Sequence, residues 1–214
     1  MRLHTYRSLG QAYVHSYAPT VYKCIVINNC YYRLLTVCVR EGRGIMIKTI
    51  SDYCKEKFGT KVYRLALTTG ATCPNRDGKV GVGGCSFCSD KGSGEFAVSS
   101  EDIKEQIEKA KTLISAKIPG SIKEGDRKYI AYFQSFSNTY GDTKRLLSLF
   151  GQAIKSDEIV ALSIATRPDC FSEDMLDSLE RLNKIKPVWI ELGLQTVNED
   201  SAKAFNRGYT LDIF

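Results

Sequence analysis

Cys73, Cys85 and Cys88 lie in one glycine-rich loop with the spacing C-x11-C-x2-C. The chain around them reads Thr72-Cys73-Pro74-Asn75-Arg76-Asp77-Gly78 and then Gly83-Gly84-Cys85-Ser86-Phe87-Cys88. Three thiolates on a flexible backbone can wrap a metal cluster and leave one metal position open, which is where a substrate or cofactor binds. Iron–sulfur clusters are held by cysteine thiolates, whereas a structural zinc site closes with four ligands. A zinc ion here would have to recruit Cys54, Cys170 or one of the two histidines, His4 and His15. No second C-x2-C exists, so the paired zinc spacing is absent. Free cysteine is usually buried, yet this loop is too rich in Gly, Asp, Asn and Lys to be core. The residues point first to an iron–sulfur cluster and second to a zinc-binding or interaction module.

The flanking elements must bring such a loop to a site. Lys61–Thr68 reads as a buried strand that ends at Thr69-Gly70, just before the loop. Ser99, Ser100 and Asp102 offer caps for a helix carrying Ile103, Ile107, Ala110 and Ile114 to about Lys117. Strands follow at Tyr129–Gln134, Ile159–Ala165 and Pro187–Leu194. Asp142 caps a helix with Leu146, Leu147, Phe150 and Ile154 on one face. Ser172 caps another with Met175, Leu176, Leu179 and Leu182 inward, and a last helix runs from Asn198 to Phe205. Near-continuous apolar strands alternating with helices predict an α/β fold with a parallel sheet. The cysteine loop, Gln134, Arg167 and Gln195 each follow a strand end. Four strand ends feeding one site favour a β/α barrel over an open sheet.

Further segments carry a family resemblance: Tyr132-Phe133-Gln134, Thr166-Arg167-Pro168-Asp169, Glu191-Leu192-Gly193-Leu194-Gln195-Thr196 and Asn206-Arg207-Gly208-Tyr209. With Phe87 just before the last cysteine, their order and spacing resemble the radical S-adenosylmethionine (radical SAM) superfamily over Met46 to Phe214. The long gap between the first two cysteines is similar to the YhcC/YtqA-type subfamily, and more distantly to the catalytic subunit of elongator. The resemblance implies a partial (β/α)6 barrel, here its first four strand–helix units, C-terminally incomplete. An uncovered edge on the fourth strand would then promote association.

The resemblance also implies the chemistry. Cys73, Cys85 and Cys88 would ligate three irons of a [4Fe–4S] cluster. The fourth iron would take the amino and carboxylate groups of S-adenosylmethionine. An electron from a reductant such as flavodoxin or ferredoxin would break the sulfonium–C5′ bond. The resulting 5′-deoxyadenosyl radical would take a hydrogen atom from substrate, for which the relatives suggest a tRNA wobble uridine. Arg207 would contact the methionyl carboxylate, Gln195 the ribose or methionyl group, and Phe87 the adenine. Gln134, with Ser135 and Asn138, stands where the amino group is held. Arg167 is a candidate for phosphate or cofactor, or pairs with Asp169 or Asp174. Some relatives carry Glu two residues before this arginine, where this chain has Ala165.

Composition excludes other classes. The 214 residues, 43% hydrophobic and 25% charged, suit one medium domain. No run of about 20 apolar residues is free of charge, so no membrane span is expected. An exposed thiol cluster suits a reducing compartment, so cytoplasm is expected. A phosphate loop is disfavoured because no GK[ST] follows the glycines, and residues 46–214 hold no histidine for a triad. The net charge is +6, but residues 1–45 hold Arg2, Arg7, Lys23, Arg33, Arg40 and Arg43 against Glu41, a balance of +5. That leaves +1 for residues 46–214, too little for a general basic surface aimed at nucleic acid. Residues 1–45 also hold both histidines and half of the tyrosines. They are expected to be a non-native or disordered extension before a start at Met46.

Overall fold

The computed structural model describes the backbone of residues 23–26, 36–41 and 44–48, and residues 49–100 and 102–214 in full. The elements in chain order are β1 (Lys23–Val26), β2 (Thr36–Glu41), β3 (Gly44–Thr49), α1 (Ile50–Phe58), β4 (Val62–Leu67), α2 (Ile103–Ile114) and β5 (Lys128–Phe133). Then come α3 (Thr143–Ala153), β6 (Ile159–Thr166), α4 (Glu173–Ile185), β7 (Val188–Leu192) and α5 (Glu199–Ala204). A 3-10 turn, Ser115–Lys117, extends α2 to the residue the apolar spacing predicts. Most of residues 1–45, on which the expectation of a foreign extension falls, lies outside the described residues.

Each helix starts where a short polar side chain can take an orphan N–H of the first turn. Asp102 accepts from Lys104 N–H, Asp142 from Arg145 N–H, Ser172 from Met175 N–H and Asn198 from Ser201 N–H. The sequence does not announce α1 in the same way. Thr49 and Asp52 nevertheless close a reciprocal capping box around its start, and Gly59 ends it at φ 75°.

The strands β4, β5, β6 and β7 pair in parallel in sequence order, and β1 pairs in parallel with the far side of β7. Helices α2, α3 and α4 all pack on one face. Ile103, Ile107, Leu146, Phe150, Met175 and Leu179 share a single core with Leu65, Ala131, Phe133, Leu162 and Ile190. A sheet that advances one strand at a time with its helices on one side is wound like a barrel, not doubly wound. This α/β fold is a partial barrel of four strand–helix units. The edge of β7, expected to be open, is hydrogen-bonded over Trp189–Leu192 by β1. Leu176, expected inward, is 40% exposed, because it stands off the stripe formed by Met175 and Leu179. No helix among the described residues is long and apolar enough to cross a membrane.

The opposite face of the sheet is layered along the strands. Near their N-terminal ends Ile130, Ala161 and Trp189 pack with Cys54 of α1, and Tyr53 meets Trp189 edge to face at 5.8 Å. That helix closes one end. The loops at the C-terminal ends form the other.

Candidate active site

Beyond β4 the chain makes a series of tight turns instead of a strand. Arg76 N–H donates to the Cys73 carbonyl (2.9 Å), Gly84 N–H to that of Asn75 (2.8 Å) and Cys88 N–H to that of Cys85 (3.0 Å). Gly83 and Gly84 adopt φ 77° and 79°, the left-handed region open to glycine, and so turn the chain before Cys85 back onto Asn75. A Cβ at Gly84 would stand 2.8 Å from the Arg76 Nε. The Asp77 carboxylate, accepting from the Tyr140 hydroxyl at 2.8 Å, ties the loop to the segment after β5.

All three cysteines line one cavity of about 580 Å³ at the C-terminal ends of β4–β7, within the usual range for small-molecule sites. Arg76 and Arg167 line it too. The Cys88 thiol is pushed down to about 6, first by a hydrogen bond from Cys85 and then by Ser93 and the two guanidinium charges. Cys85 is pushed up in turn, by the proton it shares with Cys88 and by burial. Thiolates are the metal-binding form of cysteine, so of this pair Cys88 is the readier ligand, chiefly through the hydrogen bond from Cys85.

The donor set bears on the choice between a cluster and a single ion. Thiolates on one zinc ion would sit roughly 4 Å apart, given a Zn–S bond of about 2.3 Å. Among the described residues no three His, Cys, Asp or Glu side chains are grouped to hold one ion. Cys54, a possible fourth zinc ligand, is buried under the sheet at the opposite end of the strands. Cys170 is buried in the loop after β6 and lines a neighbouring cavity. Three thiols of one loop face one cavity, and Cys85 and Cys88 lie within hydrogen-bond reach of each other.

The floor of the cavity is polar. Glu191 is 4% exposed, and its Oε1 accepts from the Ser163 hydroxyl at 2.7 Å. Arg64 Nη2 lies 2.8 Å from the same oxygen as an ion pair, without hydrogen-bond alignment, and its guanidinium stacks on Tyr132 at 4.6 Å. The second oxygen, Oε2, is buried and has no hydrogen-bond partner among the described residues.

The residues named from sequence fare differently. Phe87 lines the cavity and packs edge to face on Phe205 at 5.2 Å. Gln134 lines it, and its Nε2 donates to the Ser93 carbonyl (2.8 Å), which fastens the end of the cysteine loop. Gln195 lines it at φ 59°, with its amide nitrogen facing the carbonyls of Gly193 and Leu194 at 2.9 and 3.2 Å. Ser135 is buried, and Asn138 is fully buried and spent on Thr69, Phe133 and Ala165. Arg207 is 1% exposed, and every nitrogen of its fork is engaged. Nε donates to the Tyr209 carbonyl, Nη1 to those of Leu194 and Thr196, and Nη2 to the Glu199 carboxylate at 3.0 and 3.1 Å. The fork thus braces the segment after β7, and Arg207 also lines the cavity.

A model of the radical SAM superfamily matches residues 67–214. The chain belongs to the radical SAM superfamily. It is 42% identical over 167 residues to an uncharacterized protein, YtqA of Bacillus subtilis (strain 168), covering 78% of this chain and 50% of that protein. It is 36% identical over 154 residues to YhcC of Escherichia coli (strain K12), covering 72% and 47%. An uncharacterized protein of Methanocaldococcus jannaschii is 30% identical over 172 residues, covering 78% and 50%. The chain spans about half the length of the curated relatives it matches. Radical SAM proteins typically bind a [4Fe–4S] cluster and S-adenosylmethionine, and the match supports an enzyme of that general kind.

Within this radical SAM domain, Arg76, Tyr132 and Glu191 stand in the quoted segments with no role read from sequence, and Arg64 and Ser163 of the same layer were missed. The signal was present. Arg64, Tyr132, Ser163 and Glu191 occupy alternate positions in apolar strands, the period-2 mark of a second face. Sequence reasoning also left Arg167 between two roles. Arg167 is buried, paired with Asp169 through Nε and Nη2 at 2.8 and 2.7 Å, and it donates from Nη1 to the Arg207 carbonyl. These bonds use three of its five N–H groups.

Proposed function

We propose that this chain is the cluster-bearing part of an enzyme that cleaves S-adenosylmethionine reductively, with Cys73, Cys85 and Cys88 as the ligands of a [4Fe–4S] cluster. One observation carries the reading: three thiols of a single loop open onto one cavity at the C-terminal ends of the barrel strands. When bound, the cluster and S-adenosylmethionine supply one electron and a 5′-deoxyadenosyl radical for hydrogen abstraction. The chain's own residues bind and orient. Arg167, with two N–H groups uncommitted among the described residues, and Arg76, whose Nη2 donates to the Ser89 carbonyl, are the cations placed for a carboxylate. Phe87 offers an aromatic face, Gln134 and Gln195 offer amides, and Glu191 offers an acceptor oxygen for a hydroxyl or N–H. Flavodoxin or ferredoxin is the proposed reductant.

For the substrate, the resemblance to elongator and its relatives supports a tRNA wobble uridine. Mass spectrometry of tRNA nucleosides from a deletion strain tests that step, and an unchanged profile removes it. Anaerobic reconstitution with iron and sulfide tests the cluster. A brown protein with about four irons per chain supports the reading. A colourless protein that retains one zinc moves the account to a structural module.

A further inference from the structure

Asn75 is fully buried inside the cysteine loop. Its Nδ2 donates to the main-chain carbonyl of Asn206, 131 residues away, and to Cys85 Sγ at 3.4 Å. The amide's orientation is fixed by its surroundings, because rotating it would press Oδ1 against the Asn206 carbonyl. Oδ1 points instead at Gly81 and Gly208, where an added Cβ would stand 2.5 and 2.8 Å from it. Two glycines thus make room for one amide. Asn206 returns the contact. At φ 59° it places its own Nδ2 2.9 Å from the Gly84 carbonyl, next to Cys85. Ser86 N–H donates to the Phe205 carbonyl at 3.1 Å. The two asparagines therefore clasp the loop from both sides of Cys85.

We infer that Asn75 is a positioning residue that tunes the cluster: its N–H on the Cys85 sulfur raises the cluster's reduction potential, and Asn206 holds the loop around that bond. The inference rests on the cluster reading above. An N–H aimed at a thiolate sulfur stabilises negative charge, and the reduced cluster carries one more negative charge than the oxidised one. Hydrogen bonds to the sulfurs are among the determinants of cluster potential, and those to charged acceptors are the strong ones. The free Cys85 thiol has its one proton between the Cys88 sulfur and the Asn206 carbonyl, which is 3.2 Å away. Once iron replaces that proton, the Asn75 N–H remains as the donor facing the sulfur.

The test is a redox titration, followed by electron paramagnetic resonance, of reconstituted protein, Asn75→Ala and Asn206→Gly, with iron release to a chelator as a second readout. In Asn75→Ala the ratio of reduced to oxidised cluster at fixed potential falls roughly threefold to tenfold, a tenfold fall being about 59 mV for one electron. Asn206→Gly keeps the left-handed backbone and the main-chain acceptor. It holds the wild-type potential but releases iron faster. Asn75→Asp, of the same shape without the donor, shifts the potential in the same direction as the alanine variant. An unchanged potential in an Asn75 variant with full cluster overturns the inference. So does loss of the cluster from both Asn75 variants while they remain folded by circular dichroism, because Asn75 would then only hold the loop. A wild-type protein that assembles no cluster fails earlier, and removes the functional reading together with this one.

Discussion

Arg167 donates a hydrogen bond to the main-chain carbonyl of Arg207 at 2.8 Å, and both guanidinium groups lie on the ring of Tyr209, at 4.9 and 4.7 Å from its centre. Two cations thus meet at one aromatic ring, and their roles divide by what each has left over. Arg207 is enclosed, and its fork is engaged. Arg167 is anchored and keeps donors for a ligand.

Arg207→Lys should therefore be a stability variant. An ammonium cannot bridge Glu199, Tyr209, Leu194 and Thr196 at once. The expected loss is about 2–4 kcal/mol, since a buried charge loses its partners. Glu199 is 37% exposed, but Glu199→Gln leaves the buried Arg207 cation without this counter-charge, so a loss of about 1–3 kcal/mol is expected. Urea midpoints at constant slope measure both. A wild-type midpoint in Arg207→Lys would show that the brace does not matter.

The Arg64–Glu191 pair predicts non-additivity. Either Glu191→Gln or Arg64→Met alone should destabilise by about 1–3 kcal/mol, by leaving a buried partner unsatisfied. The double variant should cost less than the sum, and a double-mutant cycle reads the difference. Strict additivity would mean that the two charges do not couple. In reconstituted protein Glu191→Gln should also weaken S-adenosylmethionine binding, measured by calorimetry, if the unpartnered Oε2 serves the ligand.

Thiol chemistry should separate the cysteines by environment. Burial pushes Cys170 up to about 12, so at pH 8 only roughly one molecule in ten thousand carries that thiolate. Burial also raises Cys54. Cys88, pushed down to about 6, is mostly thiolate at the same pH. Iodoacetamide at pH 8, mapped by peptide mass spectrometry, should modify Cys88 well before Cys170 and Cys54. Equal rates would contradict the site's electrostatics.

The edge of β7 gives a prediction about residues 1–45. Because β1 pairs with Trp189–Leu192, deleting those residues should expose a row of unpaired backbone groups. Light scattering should then show larger species than the full chain gives at equal concentration. An unchanged distribution would mean that β1 does not protect that edge.

Much of this arrangement is legible in the residues. Apolar runs mark β4–β7 because a strand buried on both faces tolerates little else. Asp142, Ser172 and Asn198 mark helix starts because few side chains satisfy an open first turn. The three cysteines announce themselves by spacing. What sequence does not show are relations made by the turns. Nothing local says that Asn75 will meet Asn206, or that Arg207 will close on Glu199. Leu176 reads as core by type and is exposed by its angle on α4. Glu191 hides inside an apolar strand because only its alternation reveals the second face.

The central claim is that Cys73, Cys85 and Cys88 serve reductive cleavage of S-adenosylmethionine. The direct measurement is 5′-deoxyadenosine, by mass spectrometry, from anaerobically reconstituted protein with dithionite and S-adenosylmethionine, beside Cys88→Ala. The account predicts 5′-deoxyadenosine from the wild type and a loss of at least about a hundredfold in the variant, since cleavage needs the ligated cluster. A fully loaded wild-type cluster that makes no 5′-deoxyadenosine, or a variant that makes as much, would contradict it.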